Sequence, residues 1–141
     1  MTLLRKPYTA EIETLLAAAT RRRYAAKSRI VNKGETPTEM FFILQGSVVV
    51  LMEDLDGHEL ILSYLGPSEF FGELGFFGVS AKRSAYVRAR TECEIATIGY
   101  NRLKRSIHAQ PELLLQFTMQ ISERLRATSE KLGRLAFLDV T

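Results

Sequence analysis

The sequence predicts a mainly β protein with flanking helices, in which a small double-stranded β-helix, or jelly roll, is followed by one long C-terminal helix. Two observations support this class. Between residues 29 and 98, short β-branched and aromatic runs are separated by Gly and Pro turn signals. After Tyr100 the apolar periodicity becomes helical and stays so. Seven or more short strands favour two sheets closed on one core.

A short amphipathic helix is predicted first, between Thr9 and Ala19. Ile12, Leu15 and Leu16 lie at helical spacing, and Thr9 is available as the N-cap. The strands come next, at residues 29–31, 40–44, 47–52, 59–64, 70–71, 85–89 and 94–98. Between the strands at 47–52 and 59–64, Asp56-Gly57 favours a two-residue hairpin turn.

Two helices are predicted after the strands. Asn101 is positioned to cap a short helix through Leu103 and Ile107, and Gln110-Pro111 then ends it and opens a second helix from Pro111 to Leu135. The second helix carries positions that alternate spacings of four and three, which is typical of a heptad seam: Leu114, Thr118, Ile121, Leu125, Thr128, Leu132 and Leu135.

This seam has two interpretations along its length. Near its start, Leu113, Leu114 and Phe117 are expected to pack against the domain itself, because apolar helical stripes usually face a core. The later positions predict a second copy of the helix in a parallel homodimer, with the interface at Ile121, Leu125, Thr128, Leu132 and Leu135.

Composition excludes several classes of function. The chain has 141 residues, of which 46% are hydrophobic, and a mild net charge of +3. Cys93 is the only cysteine, so a disulfide framework, a four-thiolate metal site and an iron–sulfur cluster are excluded. His58 and His108 are not patterned as a metal pair. With no apolar run of membrane-spanning length and no signal peptide, we expect a soluble, cytoplasmic protein without a membrane partner.

One stretch carries the residues that indicate a ligand. Gly72-Glu73-Leu74-Gly75 is followed by Arg83-Ser84. A glycine turn that opens a short helix points backbone N–H groups at an anion, and Arg83 and Ser84 supply further donors for a phosphate. Glu73 only accepts, and it suits a ribose hydroxyl. The pattern predicts a nucleotide; the alternative is an internal salt bridge between Arg83 and Glu73.

These residues carry a resemblance. Gly72–Gly75 and Arg83–Ala89 resemble the phosphate-binding cassette of cyclic-nucleotide-binding domains, in particular those of the cyclic-AMP receptor protein family of bacterial transcription regulators. Residues Gly46–Val50, Ile61–Leu65 and Thr128–Thr141 resemble the same family in the same order. The resemblance implies a sensor domain that binds cyclic AMP as an allosteric ligand, dimerises, and performs no chemistry.

The resemblance also implies roles for individual residues. Glu73 would bind the ribose 2′-hydroxyl and Arg83 the exocyclic phosphate oxygens, while Thr128 of one subunit and Ser129 of the other would meet the base. The complete set of implied ligand-binding residues is Gly72, Glu73, Leu74, Arg83, Ser84, Thr128, Ser129, Ser63 and Arg124. For three of them a structural role is the alternative: Thr128 as a polar residue that sets helix register, Ser63 as a strand hydroxyl and Arg124 as a solvated charge.

The domain organisation follows from the same comparison. Residues 1–110 are expected to form the cyclic-nucleotide-binding β-barrel, residues 111–137 the dimerisation helix, and residues 138–141 the start of a hinge to a DNA-binding domain absent from this chain. DNA and RNA polymerase would be partners of the full-length protein, the latter through Arg21-Arg22-Arg23 and the region near Arg102, unless those arginines are only a solvated patch.

Three other functions stay open at this point. Cyclic GMP or a cyclic dinucleotide would fit the same fold, because a hydroxyl at Thr128 can bond either purine. A cupin-like metal enzyme is less favoured, because it needs about three converging His or carboxylate ligands.

Overall fold

The structure, a computed structural model, describes residues 8–140 and the side chains of residues 8–138. The chain divides into two compact units, Met1–Arg105 and Ser106–Thr141. Within the described residues, the elements are α1 Ala10–Ala17, β1 Thr20–Tyr24, β2 Arg29–Val31, β3 Glu39–Gln45, β4 Val48–Glu53, β5 Glu59–Leu65, β6 Phe70–Phe71, β7 Tyr86–Ala89, β8 Cys93–Gly99, α2 Tyr100–Ala109 and α3 Glu112–Val140.

The first unit contains two four-stranded antiparallel sheets, with strand orders β1-β8-β3-β6 and β2-β7-β4-β5. Apolar side chains from both sheets form one core cluster: Val31, Phe41, Ile43, Val48, Leu65, Phe71, Val87, Ala89, Cys93 and Ile95. Strand β3 is buried along both faces, since its alternate residues Met40 and Phe42 are also inaccessible to solvent. The predicted mainly β fold with a long C-terminal helix is confirmed.

Helix α1 begins as the sequence predicts. The Thr9 hydroxyl accepts a hydrogen bond from the Ile12 backbone N–H at 3.3 Å, which caps the first turn. The helix ends at Ala17, two residues before the expected end. Cys93 is buried, as predicted for a small apolar side chain.

Strand β1 was not among the predicted strands. Its sequence, Thr-Arg-Arg-Arg-Tyr, has no alternation of apolar and polar residues. This fits its place in the fold, since four of its five side chains are exposed. Among the described strands it is an edge strand, paired with β8, with Arg21 opposite Ala96 and Arg23 opposite Glu94. An edge strand whose side chains face water gives a periodicity search no signal.

The β4–β5 hairpin is longer than the predicted two-residue turn, and that prediction is wrong. Residues 54–58 separate the strands, and the Asp54 N–H donates to the His58 carbonyl at 3.0 Å. The Asp54 carboxylate accepts from the N–H groups of Asp56 and His58, both at 2.9 Å. These side-chain bonds stabilise the five-residue connection, in which Gly57, with φ of +84°, takes the left-handed position.

The helices after the sheets differ in detail from their predictions. Helix α2 begins at Tyr100, so Asn101 lies in its first turn and is not the cap. The interruption at Gln110-Pro111 is confirmed, and α3 continues from Glu112 to Val140, past the expected end at Leu135. The helix includes residues 138–140 of the expected hinge; Thr141 lies outside the described residues.

The side chains of α3 fall into two groups. Leu113 and Phe117 are fully buried, as expected, whereas Leu114 is 43% exposed and the expectation that it is buried is wrong. The four apolar members of the predicted interface are all exposed in the single chain: Ile121 by 37%, Leu125 by 66%, Leu132 by 61% and Leu135 by 52%. Thr128, the polar member, is also exposed.

Candidate functional site

The candidate site is the segment of residues 72–85, which connects the two sheets of the first unit. Strand β6 precedes it and pairs with β3 in one sheet. Strand β7 follows it and pairs with β2 and β4 in the other sheet. Both ends of the segment are therefore fixed by strand pairing, while its middle is free to adopt the conformation that its own hydrogen bonds select.

The first half of the segment is a series of hydrogen-bonded turns. The Phe77 N–H donates to the Glu73 carbonyl at 3.1 Å, and the Val79 N–H donates to the Leu74 carbonyl at 2.9 Å. Residues 74–78 are turns and not a helix, so the predicted short helix is wrong. With Gly78 and Gly72 both at positive φ, the chain turns too sharply for helical bonding to propagate.

Gly72 is required by contacts inside the protein. Its φ is +83°, and a side chain there would place Cβ 2.9 Å from Arg83 Nη1 and 3.0 Å from Phe41 Cδ2. Its carbonyl accepts two hydrogen bonds, from the Tyr100 hydroxyl at 2.6 Å and from Arg83 Nη1 at 3.0 Å. The missing side chain lets the arginine lie directly against the backbone.

Glycine is needed at position 75 for a similar reason. A Cβ at this position would lie 2.4 Å from Pro37 Cγ and 3.0 Å from the Tyr100 hydroxyl oxygen. The sequence argument assigned both glycines to the close approach of a phosphate. The structure adds a different cause, because each glycine makes room for protein atoms that build the site.

Arg83 is half-buried and held at both its backbone and its side chain. Its N–H donates to the Glu35 carbonyl at 2.8 Å, and its carbonyl accepts from the Gly34 N–H at 2.9 Å. Its Nη2 donates to the Glu39 carbonyl at 2.8 Å, and its guanidinium lies 5.5 Å from the centre of the Phe41 ring. Because these partners are neutral, the positive charge of Arg83 is not cancelled by them.

The predicted alternative to a ligand, an ion pair between Arg83 and Glu73, does not occur among the described side chains. Glu73 is half-buried beside the turn, and Leu74 and Ser84 are exposed. The segment thus brings five of the sequence-predicted residues together on one connection: Gly72, Glu73, Leu74, Arg83 and Ser84. A cation, a carboxylate and a hydroxyl of this kind can bind a molecule that carries both a phosphate and a hydroxyl group.

The other four predicted ligand residues lie on separate elements. Ser63 is a half-buried residue of β5, paired with Val50 of β4. Arg124, Thr128 and Ser129 belong to α3 in the second unit. Arg124 Nη2 donates to Gln120 Oε1 at 2.7 Å, and Thr128 and Ser129 are exposed.

Sequence reasoning missed Tyr100, which joins the site through strand register. Glu39 of β3 pairs with Gly99 of β8, and the Tyr100 N–H donates to the Thr38 carbonyl at 2.9 Å. This places the Tyr100 ring beside the segment although it is far along the chain. Burial raises the pKa of the Tyr100 hydroxyl, against the opposing effect of the Arg83 charge. No local motif marks such a residue.

Two surface features of the first unit stand apart from the segment. Asp54, Asp56 and His58 each bring one possible metal-ligand atom within 4.8 Å of the others, and all three are exposed. Their hydrogen bonds close the β4–β5 loop, which accounts for the arrangement. The predicted basic patch is also exposed: residues 21–23 lie on β1, and Arg102 Nη1 donates to the Ala18 carbonyl at 2.8 Å.

No described helix combines the length and the apolar character that crossing a bilayer requires.

The chain is similar to known proteins along most of its length. Residues 21–110 match the family model of the cyclic nucleotide-binding domain. The chain is 44% identical over 140 residues to the cAMP-activated global transcriptional regulator CRP of Salmonella typhimurium, covering 99% of this chain and 67% of that protein. It is 46% identical to the cAMP-activated global transcriptional regulator Vfr of Pseudomonas aeruginosa, covering 96% of this chain and 64% of that protein.

A solved structure extends the comparison. The c-di-GMP-responsive global regulator CLP of Xanthomonas campestris superimposes with a TM-score of 0.83 at 38% identity, covering 92% of this chain and 65% of that one. The chain spans about two thirds of the length of each of these relatives. Because the family model matches residues 21–110 and a curated relative is 44% identical along 99% of the chain, the chain belongs to the cyclic nucleotide-binding domains of CRP-family transcription regulators.

Proposed function

We propose that this chain is a cyclic AMP sensor that dimerises through α3 and, within a complete regulator, controls a DNA-binding domain. The observation that supports this most directly is the state of Arg83. Its guanidinium is held by neutral carbonyls and a hydroxyl, and no carboxylate among the described side chains pairs with its charge. An anionic phosphate is the partner that such a group lacks.

The ribose and base have candidate partners of the right chemistry. Glu73 beside Arg83 accepts hydrogen bonds, which suits the 2′-hydroxyl left free when a cyclic phosphate occupies O3′. Thr128 and Ser129 are exposed hydroxyls on α3, and the family resemblance assigns them to the adenine base. Two curated relatives named as cAMP-activated, at 44% and 46% identity, favour adenine as that base.

Isothermal titration calorimetry tests the ligand. After removal of any co-purified nucleotide, the chain is titrated with cyclic AMP, cyclic GMP, cyclic di-GMP and 5′-AMP. We expect cyclic AMP to bind with a clear preference over the other three. The linear 5′-AMP is the matched control, because it has the same base and sugar without the cyclic phosphate. If a folded sample binds none of them, the proposed function is wrong.

A cyclic dinucleotide is the second candidate. It is favoured by one observation, the likeness to a regulator described as c-di-GMP-responsive at 38% identity and a TM-score of 0.83. The same titration decides between the two ligands, since a preference for cyclic di-GMP over cyclic AMP would make this the function of the site.

Dimerisation is supported by the exposed seam of α3. Leu125 and Leu132 are 66% and 61% exposed, and they lie at a spacing of seven residues. Large apolar side chains repeated at heptad spacing on a solvent-facing stripe favour burial against a second helix. We expect sedimentation equilibrium to give the mass of a dimer, with and without cyclic AMP. A monomer under both conditions would contradict the dimer.

A further inference from the structure

The polar contacts of Arg83 include one side-chain hydroxyl, that of Tyr100. This hydroxyl lies 2.6 Å from the Gly72 carbonyl oxygen and 3.4 Å from Arg83 Nη1. An arginine can only donate, so the tyrosine oxygen accepts from Arg83 and its single hydrogen goes to Gly72. The three groups form a closed triangle, because Arg83 Nη1 also donates to the same carbonyl at 3.0 Å.

This triangle determines which donors of Arg83 stay available. A guanidinium has five N–H groups. Among the described residues, the protein uses two on Nη1, for Gly72 and Tyr100, and one on Nη2, for Glu39. The remaining donors are Nε–H and one hydrogen of Nη2, on neighbouring nitrogens along one edge of the group. Such a pair is suited to a two-pronged bond with phosphate oxygens.

Tyr100 is itself rigidly placed. Its backbone N–H donates to the Thr38 carbonyl at 2.9 Å, and its ring packs edge-on against Phe76 with the ring centres 5.6 Å apart. The absence of a side chain at Gly75 leaves room for its hydroxyl. Since the backbone of Tyr100 is bonded to Thr38 and its ring packs against Phe76, the hydroxyl is a point against which the guanidinium can be oriented.

We infer that Tyr100 is a positioning residue, which holds Nη1 of Arg83 inward so that the Nε edge of the guanidinium faces the phosphate of the ligand. This inference rests on the proposed cyclic nucleotide function. Tyr100 itself is not required to touch the ligand. If the Tyr100 hydroxyl were removed, Arg83 would keep its charge and its bonds to Gly72 and Glu39. Its guanidinium would be less restricted in orientation.

The test uses Tyr100→Phe, which keeps the ring and removes the hydroxyl. The ligands are cyclic AMP and the two diastereomers of adenosine 3′,5′-cyclic phosphorothioate, each with sulfur in place of one exocyclic oxygen. An oriented guanidinium distinguishes the two oxygens, so the ratio of the two affinities reports its orientation. A general loss of stability would weaken both diastereomers equally and leave the ratio unchanged.

We expect Tyr100→Phe to weaken cyclic AMP binding about three- to tenfold, because the guanidinium of Arg83 loses its hydrogen bond to the Tyr100 hydroxyl. The ratio between the diastereomers should move at least about threefold towards one. In an Arg83→Lys background, which keeps the charge and removes the fork, adding Tyr100→Phe should change neither the affinity nor the ratio by more than about twofold. Tyr64→Phe is the matched control. Tyr64 lies on β5, outside the segment, with its ring against Arg90, and its substitution should leave binding as in the unaltered chain.

Melting curves of all variants accompany the titrations. An equal loss for both diastereomers, or the same loss in the Arg83→Lys background, would overturn the positioning role and leave the proposed function standing. A diastereomer ratio near one in the unaltered chain would overturn it as well. If the unaltered chain binds neither cyclic AMP nor either diastereomer, the proposed function fails, and the inference that rests on it fails too.

Discussion

The segment around Arg83 and the exposed seam of α3 differ in how far the single chain completes them. At Arg83, three hydrogen bonds and a ring hold the cation before any ligand arrives. Along α3, four apolar residues are between 37% and 66% exposed. A group ordered in advance loses little entropy on binding. An exposed apolar stripe, in contrast, is stabilised only when another surface covers it and removes it from water. We therefore expect the first region to bind a small anion and the second to bind a protein surface.

Replacing Arg83 should produce the largest effect. Arg83→Leu removes the charge and the fork, so we expect cyclic AMP affinity to fall about a hundredfold or more, because the phosphate would be desolvated without a partner. The Glu39 carbonyl also loses its donor from Nη2, so the melting temperature should fall slightly.

The matched control for this change is Arg83→Lys, which should bind with an intermediate affinity because it keeps a point charge without the planar fork. Calorimetry measures all three proteins. Affinity close to normal in Arg83→Leu would mean that the phosphate binds elsewhere.

The seam is tested by Leu125→Asp, which should separate the proposed dimer. Two carboxylates would face each other across the interface, and the dissociation constant of the dimer should rise about a hundredfold. Ala127→Asp is the control, since it adds the same charge two residues away, on an exposed position outside the seam. Sedimentation equilibrium distinguishes the two variants; a dimer that survives Leu125→Asp would exclude this stripe as the interface.

The packing behind Arg83 is tested by Gly75→Ala. The new Cβ would lie 2.4 Å from Pro37 Cγ, and we expect a loss of about 1–3 kcal/mol in the free energy of unfolding. Gly66→Ala is a suitable control, because no atom lies within 4 Å of its Cβ position and its φ is not positive. Urea denaturation compares the two variants. Equal stability of both variants would show that Pro37 can move away from the new Cβ without strain.

The smallest effect is expected at Thr97 in β8. Its hydroxyl is buried and has no hydrogen-bond partner among the described residues. Thr97→Val removes this unsatisfied group at nearly constant volume. The free energy of unfolding should therefore increase by up to about 1 kcal/mol. Thr91→Val should instead destabilise the chain, because the Thr91 hydroxyl accepts from the Ser47 N–H at 3.1 Å. Thermal unfolding shows whether the two substitutions change the stability in opposite directions.

The sequence was informative where a side chain acts near its neighbours in the chain. Residues of the central strands are predicted by apolar runs, and the cassette from Gly72 to Ser84 is predicted because its glycines, carboxylate and arginine lie within one connection. The β4–β5 loop was missed for a local reason of another kind. There the Asp54 carboxylate bonds two backbone N–H groups and selects a longer loop than Asp56-Gly57 alone favours.

Tyr100 could not be found in this way. Its place beside Arg83 depends on the pairing of Glu39 with Gly99, which connects strands far apart in the chain. The same holds for the atoms that surround the glycines, since Pro37 and Phe41 come from the strand region more than 30 residues before Gly72. Long-range register determines these contacts, and no short pattern encodes it.

Strand β1 also bears on how the chain avoids association through its sheets. It lies at the edge of the sheet β1-β8-β3-β6, so no described strand pairs with one row of its backbone N–H and C=O groups. A second molecule could extend the sheet there. Residues 21–23 are three exposed arginines beside that row. Arg23 is paired with Glu92 at 3.4 Å, which leaves Arg21 and Arg22 as the charges that would repel a second such edge. We therefore expect the arginines of β1 to disfavour aggregation by strand addition.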